Sequence, residues 1–251
     1  MTLRNEENAM PIGIIVNVLS VALGGIVGGL AGKYLSPHFK TQITLIFGVC
    51  SLSMGIFTLG IMENMPAVVF AVVIGTGLGL VLHLGTWINQ SGVLMEKTIT
   101  TLFKTPKHGM DPAEYISTLT TVIVLFCASG TGIYGSLDAG MTGDSTILFS
   151  KSILDFFTAA IFAANLGYVV SIIAIPQFVI FFVLFLLAKV IFPMTSPVMI
   201  NDFKAAGGFL MIATGFRMMK VKEFPVADMI PAMLLVMPLS YIWTNWLVPM
   251  F

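Results

Sequence analysis

Long uncharged apolar runs dominate this chain. The first, GIIVNVLSVALGGIVGGLAG from Gly13 to Gly32, has no charge and is too greasy for a soluble surface helix. About 20 helical residues cross the hydrocarbon of a bilayer. Eight windows reach or approach that length: roughly 12–33, 41–62, 66–88, 116–137, 147–173, 175–193, 204–220 and 226–248. Lipid offers the backbone no hydrogen-bond partner, so such runs are helices. The expectation is an all-α fold, a polytopic transmembrane helix bundle of about eight membrane segments. The number falls to seven if 175–193, bracketed by Pro176 and Pro193, re-enters rather than spans. Residues 1–251 read as a single integral membrane domain.

Composition supports this reading. The chain is 57% hydrophobic and 10% charged, where soluble domains carry about 25% charge. Its formal net charge is zero, so no basic field points to nucleic acid. Cys50 and Cys127 fall inside apolar windows with no metal-binding spacing, and His38, His83 and His108 are scattered. The 17 methionines read as apolar filler. No nucleophile–base pair or ligand set stands out, so neither catalysis nor a cofactor or metal is expected. The stretch MTLRNEENAM has mixed charge, and no small-residue cleavage site follows it, so the first apolar run reads as a span rather than a signal peptide.

Basic residues set orientation. Lys33, His38 and Lys40 follow the first window; Lys97, Lys104, Lys107 and His108 the third; Arg217, Lys220 and Lys222 the seventh. Eight spans place all three groups on one side, expected to be the cytoplasm. Both termini and an acidic turn with Asp138 and Asp144 then lie outside, with Lys204 and Arg4 as exceptions. The one long loop, 90–115, contains SGVLMEKTITTLFKT, which reads either as an amphipathic helix on the inner membrane face or as a tethered loop.

Two stretches resemble others further along. IIVNVLSVALGGIVGGL aligns with SILDFFTAAIFAANLGY, placing Asn17 over Asp155 at an offset of 138, and GVCSLSMG aligns with GFLMIATG at 160. A degenerate internal repeat would have units near 12–90 and 147–248, joined by the 90–115 loop and the polar span 116–137. Against it, eight spans make the first pair parallel and the second antiparallel, which a simple duplication does not produce.

Small residues stripe several helices. In the first window Asn17, Ser20, Gly24 and Gly28 share a face, with Gly25 and Gly29 beside them; Gly75 and Gly79 repeat the device in the third. Such faces let backbones approach closely, either within one chain or between copies in a homo-oligomer. The fifth window differs, because Lys151, Asp155, Thr158 and Asn165 share one face. Asp155 lies about eight residues, roughly 12 Å, inside that helix. A carboxylate at that depth costs about 2.5–3.5 kcal/mol on insertion scales. It is therefore either a structural partner of Lys151 or part of a site for a polar solute or ion.

Upstream, FCASGTGIYGSLDAGMTGDST is rich in glycine, which disfavours a continuous helix by up to about 1 kcal/mol each. The fourth span is expected to break near Gly130, giving a broken region near 128–145. Thr142, Asp144 and Ser145 stand where an N-cap belongs. Either the break lines a site, as broken helices do in transporters, or it is an external turn. Ser129, Thr131, Asp138, Asp144 and Ser145 join Asn17, Ser20, Lys151, Asp155, Thr158 and Asn165 as candidate solute- or ion-binding residues.

The stretch FCASGTGIYGSLDAGMTGDSTILFSKSILDFFTAAIFA and the glycine-rich first span together resemble the bacterial YqgA-like family, filed as domain of unknown function 554. The resemblance covers nearly the whole chain, and Gly140 to Asp155 is its most specific part. It implies a polytopic protein of the bacterial inner membrane, and family members carry a loose label as transport proteins. It supplies no substrate and no catalytic residue. The residues point first to a small transporter or channel, with lipid and a small solute or ion as partners. The alternative is a non-transporting membrane scaffold that uses the glycine faces for assembly.

Overall fold

A computed structural model describes residues 10–31, 34, 36–102 and 112–250. They form eleven α-helices and, among the described residues, no strand. These are α1 Ile12–Ala31, α2 Pro37–Leu59, α3 Met65–Val81, α4 Leu84–Leu102, α5 Pro112–Cys127 and α6 Gly130–Thr142. There follow α7 Thr146–Leu166, α8 Val169–Ile172, α9 Ala174–Ile191, α10 Pro197–Met218 and α11 Ile230–Ile242. Arg4, Lys33, Lys104, Lys107 and His108, used above for orientation, lie outside the described residues.

Among the described residues, six helical stretches are long and apolar enough to cross a membrane, or seven if the bent pair α3 and α4 is one span. Eight were expected, and two windows account for the difference. The seventh forms α10, which starts earlier, at Pro197, and carries Asp202, Lys204 and Arg217; it is not among the apolar stretches. The third ends at Val81, because His83 adopts a left-handed φ of 55° and the chain restarts as α4. Helix therefore continues through 90–102, where a loop or a surface helix was expected. Ile99 and Met95 of α4 pack into the core, while Trp87, Val93 and Leu94 stay exposed.

The chain divides into two compact units interleaved along the sequence: residues 1–42 with 88–190, and residues 43–87 with 191–251. In the first unit α1 and α7 run parallel. A methyl on Gly24 would overlap the Phe156 main chain, and one on Gly28 the Ala160 main chain. Gly25 faces Ser171 and Gly29 faces the Tyr168 ring. The Ser171 hydroxyl donates to the Ala22 carbonyl at 2.9 Å, which the close approach permits. Helix α6 is buried along nearly its whole length. Its glycines make room for neighbours: Gly132 faces the Phe181 ring and Gly140 the main chain of Phe185.

In the second unit α2 and α10 run antiparallel, with Gly48 against Gly215 and Gly55 against Gly208. The Ser51 hydroxyl donates to the Met211 carbonyl at 2.8 Å. Gly75 and Gly79 of α3 meet Ala232 and Asp228 ahead of and within α11. All six glycines singled out in α1 and α3 are thus covered inside the chain. The pairs aligned above as a repeat, Asn17 with Asp155 and 48–55 with 208–215, are spatial neighbours.

Candidate functional site

The fourth span does break, at Ala128–Ser129 between α5 and α6. Ser129 caps α6 by accepting the Gly132 N–H at 3.2 Å. Helix α6 ends at Gly143, whose φ of 75° favours glycine. The chain turns there and α7 comes back alongside, with Gly135 facing Leu148. This register sets the start of α6 beside Ser152–Asp155.

At that level four buried side chains form one network. Asp155 Oδ2 accepts from Lys151 Nζ, one turn earlier on α7, and from Asn17 Nδ2 of α1 at 2.9 Å. Asn17 Oδ1 in turn accepts from Gln177 Nε2 of α9 at 2.9 Å. Asn17 and Gln177 are fully buried, Lys151 is 3% exposed and Asp155 7%. The Lys151 ammonium lies 5.9 Å from the Phe126 ring centroid and 6.0 Å from that of Phe181. These rings add a weak cation–π attraction and shield the pair from lipid.

The network is neutral overall, yet not fully satisfied. Among the described residues Asp155 Oδ1 accepts no hydrogen bond, and buried Gln177 Oε1 has no protein partner. Both are acceptors, so they suit a donor, a cation or water. Thr158 is buried three residues beyond Asp155, and Thr131 is buried at the start of α6.

The remaining candidates lie elsewhere. Ser20 donates to the Val16 carbonyl of its own helix. Asp138, expected in an external turn, is instead buried in α6, accepting from Tyr134 Oη at 3.3 Å and Thr142 Oγ1 at 2.9 Å. The glycines around it misled, since a helix enclosed by neighbours tolerates them where an exposed one would not. Exposed Asp144 accepts the Thr146 N–H at 2.9 Å and so caps α7, while Ser145 makes no side-chain capping bond. Asn165 lies at the far end of α7, with Lys40 Nζ at 3.5 Å from its Oδ1.

Sequence reasoning missed Gln177. A lone amide in IPQFVIFFVLFLLAK was the available signal, because polar groups in lipid are costly. It also missed a second carboxylate centre. Fully buried Asp202 accepts from the Glu63 and Asn64 backbone N–H groups at 2.9 Å, Asn64 Nδ2 at 3.0 Å and Ser240 Oγ at 2.6 Å. Those four donors saturate it, so it acts as a structural clamp at the start of α3. No group of three or more His, Cys, Asp or Glu able to hold a metal occurs among the described residues.

Residues 12–241 match the family described as "Protein of unknown function (DUF554)". "Uncharacterized protein YqgA" of Escherichia coli K12 is 44% identical over 237 residues, spanning 94% of this chain and 99% of that one. "Uncharacterized membrane protein YdfK" of Bacillus subtilis 168 is 23% identical over 223 residues, 89% and 93% of the two chains. No solved structure matches. An all-helical protein with the apolar spans of a membrane protein, the chain belongs to the DUF554 family.

Proposed function

We propose that the protein carries a small polar solute or ion across the bacterial inner membrane, with both termini on the extracytoplasmic side. The observation that carries this reading is the buried network of Asn17, Lys151, Asp155 and Gln177 beside the α5–α6 break, with two acceptor oxygens left open. Ionisable groups at that depth are costly and mark solute paths in membrane proteins, and broken helices recur at transporter sites. In this reading Asp155 is the coupling carboxylate, and Lys151 is its ion-pair partner in the resting state. Transport loosens the Lys151–Asp155 contact as solute arrives.

The test is charge movement in proteoliposomes on a solid-supported membrane, with Na⁺, K⁺, H⁺ and small anions jumped in turn. Asp155→Asn is expected to abolish the response while the protein stays folded. Equal responses from wild type and a folded mutant would refute the role of Asp155.

A non-transporting assembly protein is the second reading. It draws support from the closure of the Lys151–Asp155 pair, since Lys151 is 3% exposed. The glycine faces do not favour it, because those of α1 and α3 are filled by the chain's own helices.

A further inference from the structure

Among the described residues, the buried side-chain atoms without a hydrogen-bond partner are Tyr115 Oη, Thr120 Oγ1 and Gln177 Oε1, and all three fall in the first unit. In the second unit Asp202 is saturated, and Asp228 accepts the Gly85 N–H at 2.8 Å. A buried polar atom without a partner is costly, so each of these orphans is an unfilled place for a ligand or water.

Two of the orphans stand on α5, which packs against α4. A methyl on Gly92 of α4 would meet Thr120 and Val124. One turn on from Gly92 along that face stands Glu96, 5% exposed. Its carboxylate has one protein hydrogen bond, from Thr100 Oγ1 of the same helix at 3.3 Å. Another turn along, Ile99 shares the core cluster with Tyr115. Among the described residues no cation pairs with Glu96, and Lys97 beside it is exposed. Thr120 in turn precedes Cys127, at the helix break, by seven residues, about 10 Å along α5. Gln177 Oε1, Thr120 Oγ1 and Tyr115 Oη are thus unpartnered polar atoms of the same unit that holds Asp155 and Glu96.

We propose that Glu96 is a second binding carboxylate on the solute path, at its inner end, and that the solute is a small monovalent cation. The inference rests on the transport reading and names its substrate class. The chemistry favours a cation because the open groups are acceptors or hydroxyls: Asp155 Oδ1, Gln177 Oε1, the Glu96 carboxylate, and the Thr120 and Tyr115 hydroxyls. Lys151, the buried cation of the central network, is already committed to Asp155.

The experiment uses the full chain in liposomes and two readouts. The first is flux under separate H⁺, Na⁺ and K⁺ jumps, for wild type, Asp155→Asn, Glu96→Gln and Thr120→Val. Glu96→Gln is isosteric, and size-exclusion profiles verify that each variant is folded. The expected result is a cation response that falls at least about tenfold in Glu96→Gln and about threefold in Thr120→Val. The second readout is modification by dicyclohexylcarbodiimide, located by mass spectrometry, and it needs no transport. Glu96 is expected to be labelled, and the transported cation to protect it.

Flux lost in Asp155→Asn but unchanged in Glu96→Gln and Thr120→Val would overturn this inference and leave the transport reading standing. A response to anions alone would overturn the substrate class. Absence of flux in wild type with cation-protected labelling of Glu96 would sink transport while supporting the cation site. Absence of both would overturn both.

Discussion

Removing one member of the Lys151–Asp155 pair is a test that separates a sealed ion pair from a solvated one. Lys151→Met leaves Asp155 charged, buried and held only by Asn17 Nδ2. Breaking a buried pair from one side costs about 3–5 kcal/mol, whereas exchanging both partners for neutral groups is close to neutral. Asp155→Asn alone strands the Lys151 ammonium between the Phe126 and Phe181 rings at a similar cost. In the double variant Lys151→Met/Asp155→Asn, the Asn oxygen still accepts from Asn17, and the Met thioether sits against the same rings. The two single losses sum to about 6–10 kcal/mol, so a double variant within about 1–2 kcal/mol of wild type implies a coupling energy of at least about 4 kcal/mol. Helicity followed by circular dichroism during SDS-driven unfolding from mixed micelles measures all four corners of the cycle. Additive single effects, each below about 1 kcal/mol, would show that water reaches the pair in the resting state, and the closure argued here would be wrong.

Two further predictions concern packing. Gly28→Val drives a branched side chain into the Ala160 main chain and is expected to prevent α1 from docking on α7, read as loss of a monodisperse folded peak. Gly77→Ala meets nothing within 4 Å and is expected to leave stability unchanged or raise it by up to about 1 kcal/mol. Asp202→Ala orphans two backbone N–H groups and two side-chain donors, so it is expected to cost at least about 3 kcal/mol in the same SDS titration, with Asp202→Asn in between. A silent Asp202→Ala would remove its assignment as a structural clamp.

Much of the helix packing was legible in the sequence. Two helices that approach closely must both present small residues at matching intervals. The resemblance of 48–55 to 208–215 falls on two surfaces that meet, with Gly48 against Gly215 and Gly55 against Gly208. Asn17 and Asp155, aligned in the same way, bond each other. The pair on α7 was legible because charges at that depth are rare. Gln177 and Asp202 were overlooked because each is a single polar residue whose partner lies far along the chain, on a helix that composition alone cannot align. The kink at His83 was hidden too, because apolar residues run through it without a break.

The interleaving of the two units bears on how the protein is made. Asn17 is followed by 138 residues before Asp155 exists to receive its hydrogen bond. At roughly 5–20 residues per second, that wait is about 7–28 s. Asn64 waits equally long for Asp202, and Ser51 waits 160 residues for Met211. Helices α1 to α3 therefore enter the membrane with polar groups and glycine grooves uncovered, and neither unit closes until the C-terminal half of the chain arrives. A ribosome stalled near residue 140 would expose a half-built bundle to the membrane's quality-control proteases, and co-expressed N- and C-terminal halves should find each other as translation products normally do.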